Sequence, residues 1–280
     1  MSSINALLKE AASQLASVSE SALLDSEILL CAALNKTRAH LRAWPDKEVA
    51  ADQWEIFWEL IQRRKQGTPI AYLTGRREFW SRDFIVTPDV LIPRPETELL
   101  IELSLELIPE NQRVNILDLG TGSGIIAVTL AAERPLADVV AADLSLPALN
   151  VARHNAEKHQ IGNITLYQSD WFADLPEQLF DLVVSNPPYI AEGDSHLAEG
   201  DLRFEPKSSL CAEQEGFSDI MKIAENALRW LKAGGHLLIE HGYDQPLRVQ
   251  EIFKGLGYQN IKTHADLANH PRVTSGTFRN

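Results

Sequence analysis

Cysteine is nearly absent from this 280-residue sequence: only Cys31 and Cys211 occur, and they lie in different regions. Two thiols so placed give neither a metal-ligand spacing nor a disulfide framework, and reduced thiols in a cytoplasmic protein are expected. Long hydrophobic runs are missing as well. No stretch reaches the roughly 18 apolar residues of a membrane span. The N-terminus carries Lys9 and Glu10 inside an amphipathic pattern, not a basic flank before an apolar core, so it does not read as a signal peptide. There is no internal repeat and no low-complexity segment. Basic charge is also scarce. Lys and Arg number 26 against 39 Asp and Glu, and the whole net charge of −13 falls beyond residue 78. Non-specific nucleic-acid binding rests on neutralising phosphates with Lys and Arg, so a polyanionic partner is disfavoured. What remains is globular in composition, with 45% hydrophobic and 23% charged residues, and the length fits two domains or one large and one small.

The periodicity divides the chain. Residues 1–75 read as a small helical bundle. Leu7, Leu8, Ala11 and Leu15 recur at helical spacing, Ser21 or Asp25 caps a second helix, and Trp54, Phe57, Trp58 and Ile61 form an apolar stripe of core type. Residues 76–95 change to strand character. Glu78-Phe79-Trp80 and Phe84-Ile85-Val86 flank Ser81-Arg82-Asp83, which predicts a hairpin linker. Pro95, Glu96 and Glu98 then suit the first turn of a helix. Over 96–280 strands and helices alternate: strands at 114–119, 139–143, 164–168, 182–185, 236–240, 261–264 and 273–278, helices at 125–133, 147–159, 220–231 and 247–256. This alternation predicts an α/β fold, a mostly parallel sheet covered on both faces, whose ligands bind at the carboxyl ends of the strands.

Asp118 and Leu119 lead into Gly120-Thr121-Gly122-Ser123-Gly124, between the first strand of this region and its helix. A dinucleotide fingerprint needs Gly-x-Gly-x-x-Gly. The glycines here stand at 120, 122 and 124, which argues against a pyrophosphate site and a nicotinamide oxidoreductase. The second strand ends in Asp143, placed to accept hydrogen bonds from a ribose diol. The third is followed by Asp170-Trp171, an acceptor for an adenine amino group and a ring to pack on its face. Each alone is commonplace as a turn or cap residue; three consecutive strand ends describe a nucleoside site without phosphates.

The fourth strand runs into Asn186-Pro187-Pro188-Tyr189. Two prolines fix φ twice and remove two backbone donors, leaving carbonyl oxygens beside the Asn186 side chain. An amide or arylamine nitrogen is a poor nucleophile because its lone pair is delocalised. The Asn186 oxygen and the Pro187 carbonyl can hold both hydrogens of an NH2 group and free that lone pair, while Tyr189 packs on the planar group. Catalysis is then positioning, with no strong base required. The motif leaves open a base amine or a protein amide.

Over residues 110–280 the chain resembles the class I S-adenosylmethionine-dependent methyltransferases. That resemblance implies Gly120 to Gly124 and Asn186 against the methionine part of S-adenosyl-L-methionine, Asp143 at its ribose, Asp170 and Trp171 around its adenine, and S-adenosyl-L-homocysteine as product. Over nearly all 280 residues it resembles the bacterial protein-glutamine N5-methyltransferases of class I peptide-chain release factors. The stretches that carry this are Gly67 to Gly75, Glu78-Phe79-Trp80, Leu91 to Glu98, Asp118 to Gly124 and Asn186 to Ile190. The resemblance implies a Rossmann-like seven-stranded methyltransferase domain over 96–280 and a substrate-recognition domain over 1–75. It implies that Asn186, Pro187, Pro188 and Tyr189 bind the glutamine of a Gly-Gly-Gln loop, in a cytoplasmic monomer active in translation termination, with no metal, nucleic acid or membrane. The alternative from the motif is an adenine N6 methyltransferase of nucleic acid, which the charge disfavours; a catalytically silent module that only holds the factor is disfavoured by the intact Asn186 and glycine loop. Residues 190–219 hold 8 acidic and 2 basic residues and are expected either to border the substrate mouth or to be a solvated loop.

Overall fold

Ser3 starts the first helix by accepting the Ala6 N–H at 3.3 Å, a side-chain cap that replaces a missing intrahelical partner. A computed structural model describes residues 2–279, and they cluster into two units. One holds the residues up to Arg76 together with His196–Phe204, the other Arg77–Ser195 and the residues from Glu205 onward.

The first unit is helical: α1 (Ile4–Leu15), α2 (Ala22–Leu34), α3 (Arg38–Ala43), α4 (Ala51–Lys65) and α5 (Ile70–Thr74). Ile4, Leu7, Ala11 and Leu15 of α1 recur every three to four residues and pack with Leu29, Leu30, Phe57 and Ile61 in one core. Two details differ from the sequence expectation. Asp25 is no cap but lies inside α2, buried, accepting from Ser19 Oγ at 2.8 Å and Arg64 Nε at 2.8 Å. Trp54 leaves the apolar stripe for the surface, its ring meeting Trp58 edge-on at 6.1 Å.

The second unit opens with a hairpin, β1 (Arg76–Phe79) and β2 (Arg82–Ile85). Its turn is Trp80-Ser81, one residue earlier than expected. Both turn residues have positive φ, 51° and 55°, the conformation a two-residue hairpin turn needs; with no Gly or Asn there, the sequence does not signal it. After α6 (Glu98–Leu107) come β3 (Asn115–Leu119), α7 (Ile125–Glu133), β4 (Asp138–Asp143), α8 (Leu146–Lys158), β5 (Ile164–Gln168) and β6 (Phe180–Ser185). The short strands β7 (Ile190–Ala191) and β8 (Cys211–Ala212) follow and pair with each other. The chain closes with α9 (Ser218–Ala227), β9 (Leu231–Glu240), α10 (Pro246–Gly255), β10 (Gln259–Ala265) and β11 (Pro271–Thr277).

Seven strands form one sheet in the order β10-β11-β9-β6-β3-β4-β5, with β11 alone running antiparallel to the others. Successive side chains alternate between faces. Ile116, Leu182, Val184 and Leu238 join a core with α6 and α7. Leu117, Val183, Leu237 and Ile239 join another with α9 and α10. The chain runs outward from β3 to β5 and then crosses back to β6. Strand order therefore reverses between β3 and β6, the point at which such sheets open a crevice.

The sequence expectation of a helix over 220–231 and a strand over 236–240 is corrected here. The helix stops at Ala227 and the strand starts at Leu231. The Trp230 carbonyl accepts the Phe180 N–H at 2.8 Å, so pairing with β6 claims the end of the apolar run.

Candidate active site

A cavity of about 480 Å³ opens at the carboxyl ends of β3 to β6, within the second unit, in the usual range for small-molecule sites. Gly120, Thr121, Gly122 and Ser123, together with Asp143, Asp170, Trp171, Asn186 and Pro188, line it. Thr97 and Arg94 also contribute. Gly124, Pro187 and Tyr189 are not among its lining residues.

The glycine loop is held from below by Asp118. Its Oδ2 accepts from Thr121 Oγ1 at 2.6 Å and from the Ala127 N–H at 3.2 Å, at the start of α7. Burial pushes this carboxyl up to about 7 against those donors. Gly124 has φ +81°, and a Cβ on it would lie 3.0 Å from the Ala152 Cβ of α8; glycine lets α7 and α8 meet there. Asp143 is fixed on both oxygens, by the Gly122 N–H at 2.8 Å and the Ser145 N–H at 2.8 Å. Burial raises its pKa and these backbone donors oppose the rise. The remaining lone pairs are free to accept from hydroxyls.

Trp171, at φ 53°, lays its ring over the loop: Cζ3 stands 3.4 Å from where a Cβ on Gly120 would be. Asp170 is exposed and pairs with Lys222 Nζ at 2.8 Å. Asp219 lines the same wall; burial raises its pKa, while Lys222 and the Trp171 side chain lower it. Sequence reasoning missed Asp219 and Lys222. Their one signal is a spacing of three at the start of a helix, which is too common to single out.

On the other side, Asn186 Nδ2 donates to Thr97 Oγ1 at 3.2 Å. Thr97 is fully buried at the junction into α6 and was not singled out beyond its motif. Tyr189 is pinned by its backbone. Its carbonyl accepts from Gln245 Nε2 at 2.9 Å. A Cβ on Gly216, itself at φ +88°, would come within 2.2 Å of that oxygen. Burial, then the Glu240 carboxylate, pushes the Tyr189 hydroxyl above its ordinary range, so it stays protonated.

The segment from Ile92 to Arg94 is clamped by Glu205, whose carboxylate accepts from the Ile92 N–H at 2.9 Å and pairs with Arg94. Glu205 is 5% exposed, so this acidic residue of the 190–219 stretch is a buried anchor rather than part of a solvated surface. Asp201 of the same stretch lies 3.6 Å from Arg64 in the helical unit.

The residues fit a nucleoside-bearing cofactor without phosphates. A Cβ on Gly122 would meet nothing within 4 Å, so the loop presents bare backbone. The floor carries the Asp143 carboxylate and the Trp171 indole ring, and the two cations that line the cavity are each paired with a carboxylate, Arg94 with Glu205 and Lys222 with Asp170. Among the described residues no group of three or more His, Cys, Asp or Glu is disposed to hold a metal ion. No described helix is long and apolar enough to cross a membrane.

Two family models match the chain, the PrmC N-terminal domain over residues 6–75 and the methyltransferase small domain over residues 97–201. A release factor glutamine methyltransferase of Shewanella oneidensis is 46% identical over 95% of this chain and 92% of its own length. One of Escherichia coli is 45% identical over 97% of each. Among solved structures, the T. thermophilus 16S rRNA N2 G1207 methyltransferase in complex with AdoMet and guanosine superposes with a TM-score of 0.54 at 20% identity. The match covers 73% of this chain and 50% of that one, and shows the shared methyltransferase fold.

Proposed function

Because the chain belongs to the family of release factor glutamine methyltransferases, we propose that it methylates N5 of the glutamine in the Gly-Gly-Gln loop of a class I peptide-chain release factor, with S-adenosyl-L-methionine as donor, and so modulates translation termination. In this reading it acts as a cytoplasmic monomer on a protein partner, without metal, nucleic acid or membrane.

The observation that supports this reading best is the direction of Asn186. Its nitrogen is turned into Thr97 while the residue lines the cavity shared with the glycine loop. Its oxygen is therefore left for an incoming NH2 group. Asn186 Oδ1 and the Pro187 carbonyl take one hydrogen each, so the nitrogen lone pair faces the methyl donor. Pro187 and Pro188 keep these acceptors rigid, and Tyr189, anchored by Gln245, closes the site from behind. Asp143 accepts the ribose hydroxyls, Asp170 and Trp171 border the adenine, and the backbone from Gly120 to Gly124 carries the methionine part. The cofactor supplies an electrophilic methyl on a sulfonium sulfur and leaves as S-adenosyl-L-homocysteine. Binding two reactants in line converts an encounter into a unimolecular step. No side chain has to abstract a proton first, because the nitrogen becomes acidic as it is alkylated.

The residues up to 75 form the substrate-recognition domain in this reading, and the acidic 190–219 stretch meets basic residues of the factor. The test is a competition: labelled S-adenosylmethionine with equal amounts of unmethylated release factor and duplex DNA. Incorporation into the factor alone is expected. Incorporation into DNA alone would overturn the reading in favour of nucleic-acid methylation.

A further inference from the structure

Ser185 of β6 lies in register with Ile239 of β9, so the next residues along the two parallel strands are Asn186 and Glu240. Glu240 is wholly buried. Among the described residues, neither of its oxygens has a hydrogen bond of ordinary length. An unpaired carboxylate in such a place is costly, and no part of the mechanism above uses it. The polar hydrogens that favour its charged form are those of Thr97 and Asn186, together with the charge of Arg272. Burial foremost, and Glu96, oppose that form and push the carboxyl up to about 7.

An asparagine amide fits the same space in two orientations that differ by exchanging oxygen and NH2. An ionised carboxylate only accepts hydrogen bonds, whereas a threonine hydroxyl donates one and accepts others. Beside Glu240 the Thr97 hydrogen is drawn to the carboxylate, which leaves Thr97 Oγ1 as an acceptor. The partner it takes is Asn186 Nδ2, at 3.2 Å. The flipped amide would set the Asn186 oxygen against two acceptors, and would offer the incoming NH2 group a donor in place of an acceptor.

We infer that Glu240 is a positioning residue, which acts with Thr97 to lock the Asn186 side chain with its nitrogen inward and its oxygen toward the acceptor substrate. The identity of that substrate rests on the function proposed above; the orientation belongs to the enzyme before any acceptor binds, and the two are tested separately.

Glu240→Gln keeps the shape but can present either a donor or an acceptor, so Asn186 loses its preference. Turnover on the release factor should fall roughly 100-fold, the scale of a misplaced catalytic group, with the S-adenosylmethionine Kd unchanged. The thermal midpoint should hold or rise, because a buried charge has been removed. In spectra of the selectively labelled enzyme, assigned with Asn186→Asp, the Asn186 side-chain NH2 resonances should move. Thr97→Val should reproduce the loss of turnover and Thr97→Ser should retain activity, a pair that decides the matter if Glu240→Gln does not fold. Wild-type turnover in Glu240→Gln, unmoved Asn186 resonances, or equal impairment of Thr97→Ser and Thr97→Val would overturn the inference. Transfer by the wild-type enzyme to nucleic acid alone would overturn the proposed substrate, while the Asn186 resonances still report on the orientation.

Discussion

At the β3 to β5 end of the cavity, carboxylates are held by backbone. Asp143 takes the N–H groups of Gly122 and Ser145, and Asp118 takes that of Ala127. At the β6 to β9 end, the acceptor side chain is held by other side chains: Asn186 by Thr97, with Glu240 behind them. The first plan is short-range and tolerates little change in glycine placement. The second depends on elements far apart in the chain, since Thr97 is 89 positions from Asn186. The difference separates two tasks. In the proposed function one end grips the cofactor through carboxylates fixed by backbone donors, and the other presents one oxygen in one orientation. Variants at the two ends should therefore fail in different ways.

The sharpest break comes from Asn186→Ala. Removing the acceptor should lower the rate of methyl transfer roughly 1000-fold, as loss of a preorganised transition-state contact does, while the cofactor Kd is unchanged. Rapid-quench single turnover and calorimetry would read the two quantities. Retained turnover would refute the role of Asn186. The reverse pattern is expected for Asp143→Ala: loss of charge-assisted hydrogen bonds worth about 2 kcal/mol should weaken cofactor binding by some tens of fold, with the rate at saturating cofactor changed far less.

The two buried carboxyls, Asp118 and Glu240, are both pushed up to about 7 by burial. Unfolded, they titrate near 4. Between about pH 4 and 7 the folded protein therefore holds more protons than the unfolded one, and its stability falls as the pH rises through that window. Urea unfolding should show a loss on the order of 5 kcal/mol from pH 5 to pH 8, roughly halved in Asp118→Asn. A flat profile would show that neither group titrates there. The smallest effect is expected from reversing the exposed charges at Glu192 and Glu199. The KM for the release factor should rise about threefold at low salt and recover as salt is added, as for a rim contact.

How much of this was legible in the sequence follows the same division. Gly120 to Gly124 and Asp143 could be read because each sits at the end of a strand whose apolar run is unmistakable, and their contacts are local. The parallel sheet and the helices at 125–133 and 147–159 followed from the alternation of period, to within a residue or two. Asn186 was legible through the prolines that follow it. The residues that brace the site were not. Glu240 reads as the polar end of a strand, Gln245 as a helix-start residue, and Glu205 as one more acid in an acidic stretch. Only the pairing of β6 with β9, and the return of the chain from Phe204 into the second unit, bring them to the site. The early start of β9 was hidden for the same reason, since the Phe180–Trp230 bond that begins it is non-local.

The account turns on one side-chain oxygen choosing an amide nitrogen. Its most direct test is the location of the transferred methyl. Unmethylated release factor is treated with the enzyme and isotopically labelled S-adenosylmethionine, digested, and sequenced by tandem mass spectrometry. The label is expected on the side-chain nitrogen of the glutamine in the Gly-Gly-Gln peptide. Label on any other residue would contradict the account, as would an unmodified factor from an enzyme that methylates nucleic acid.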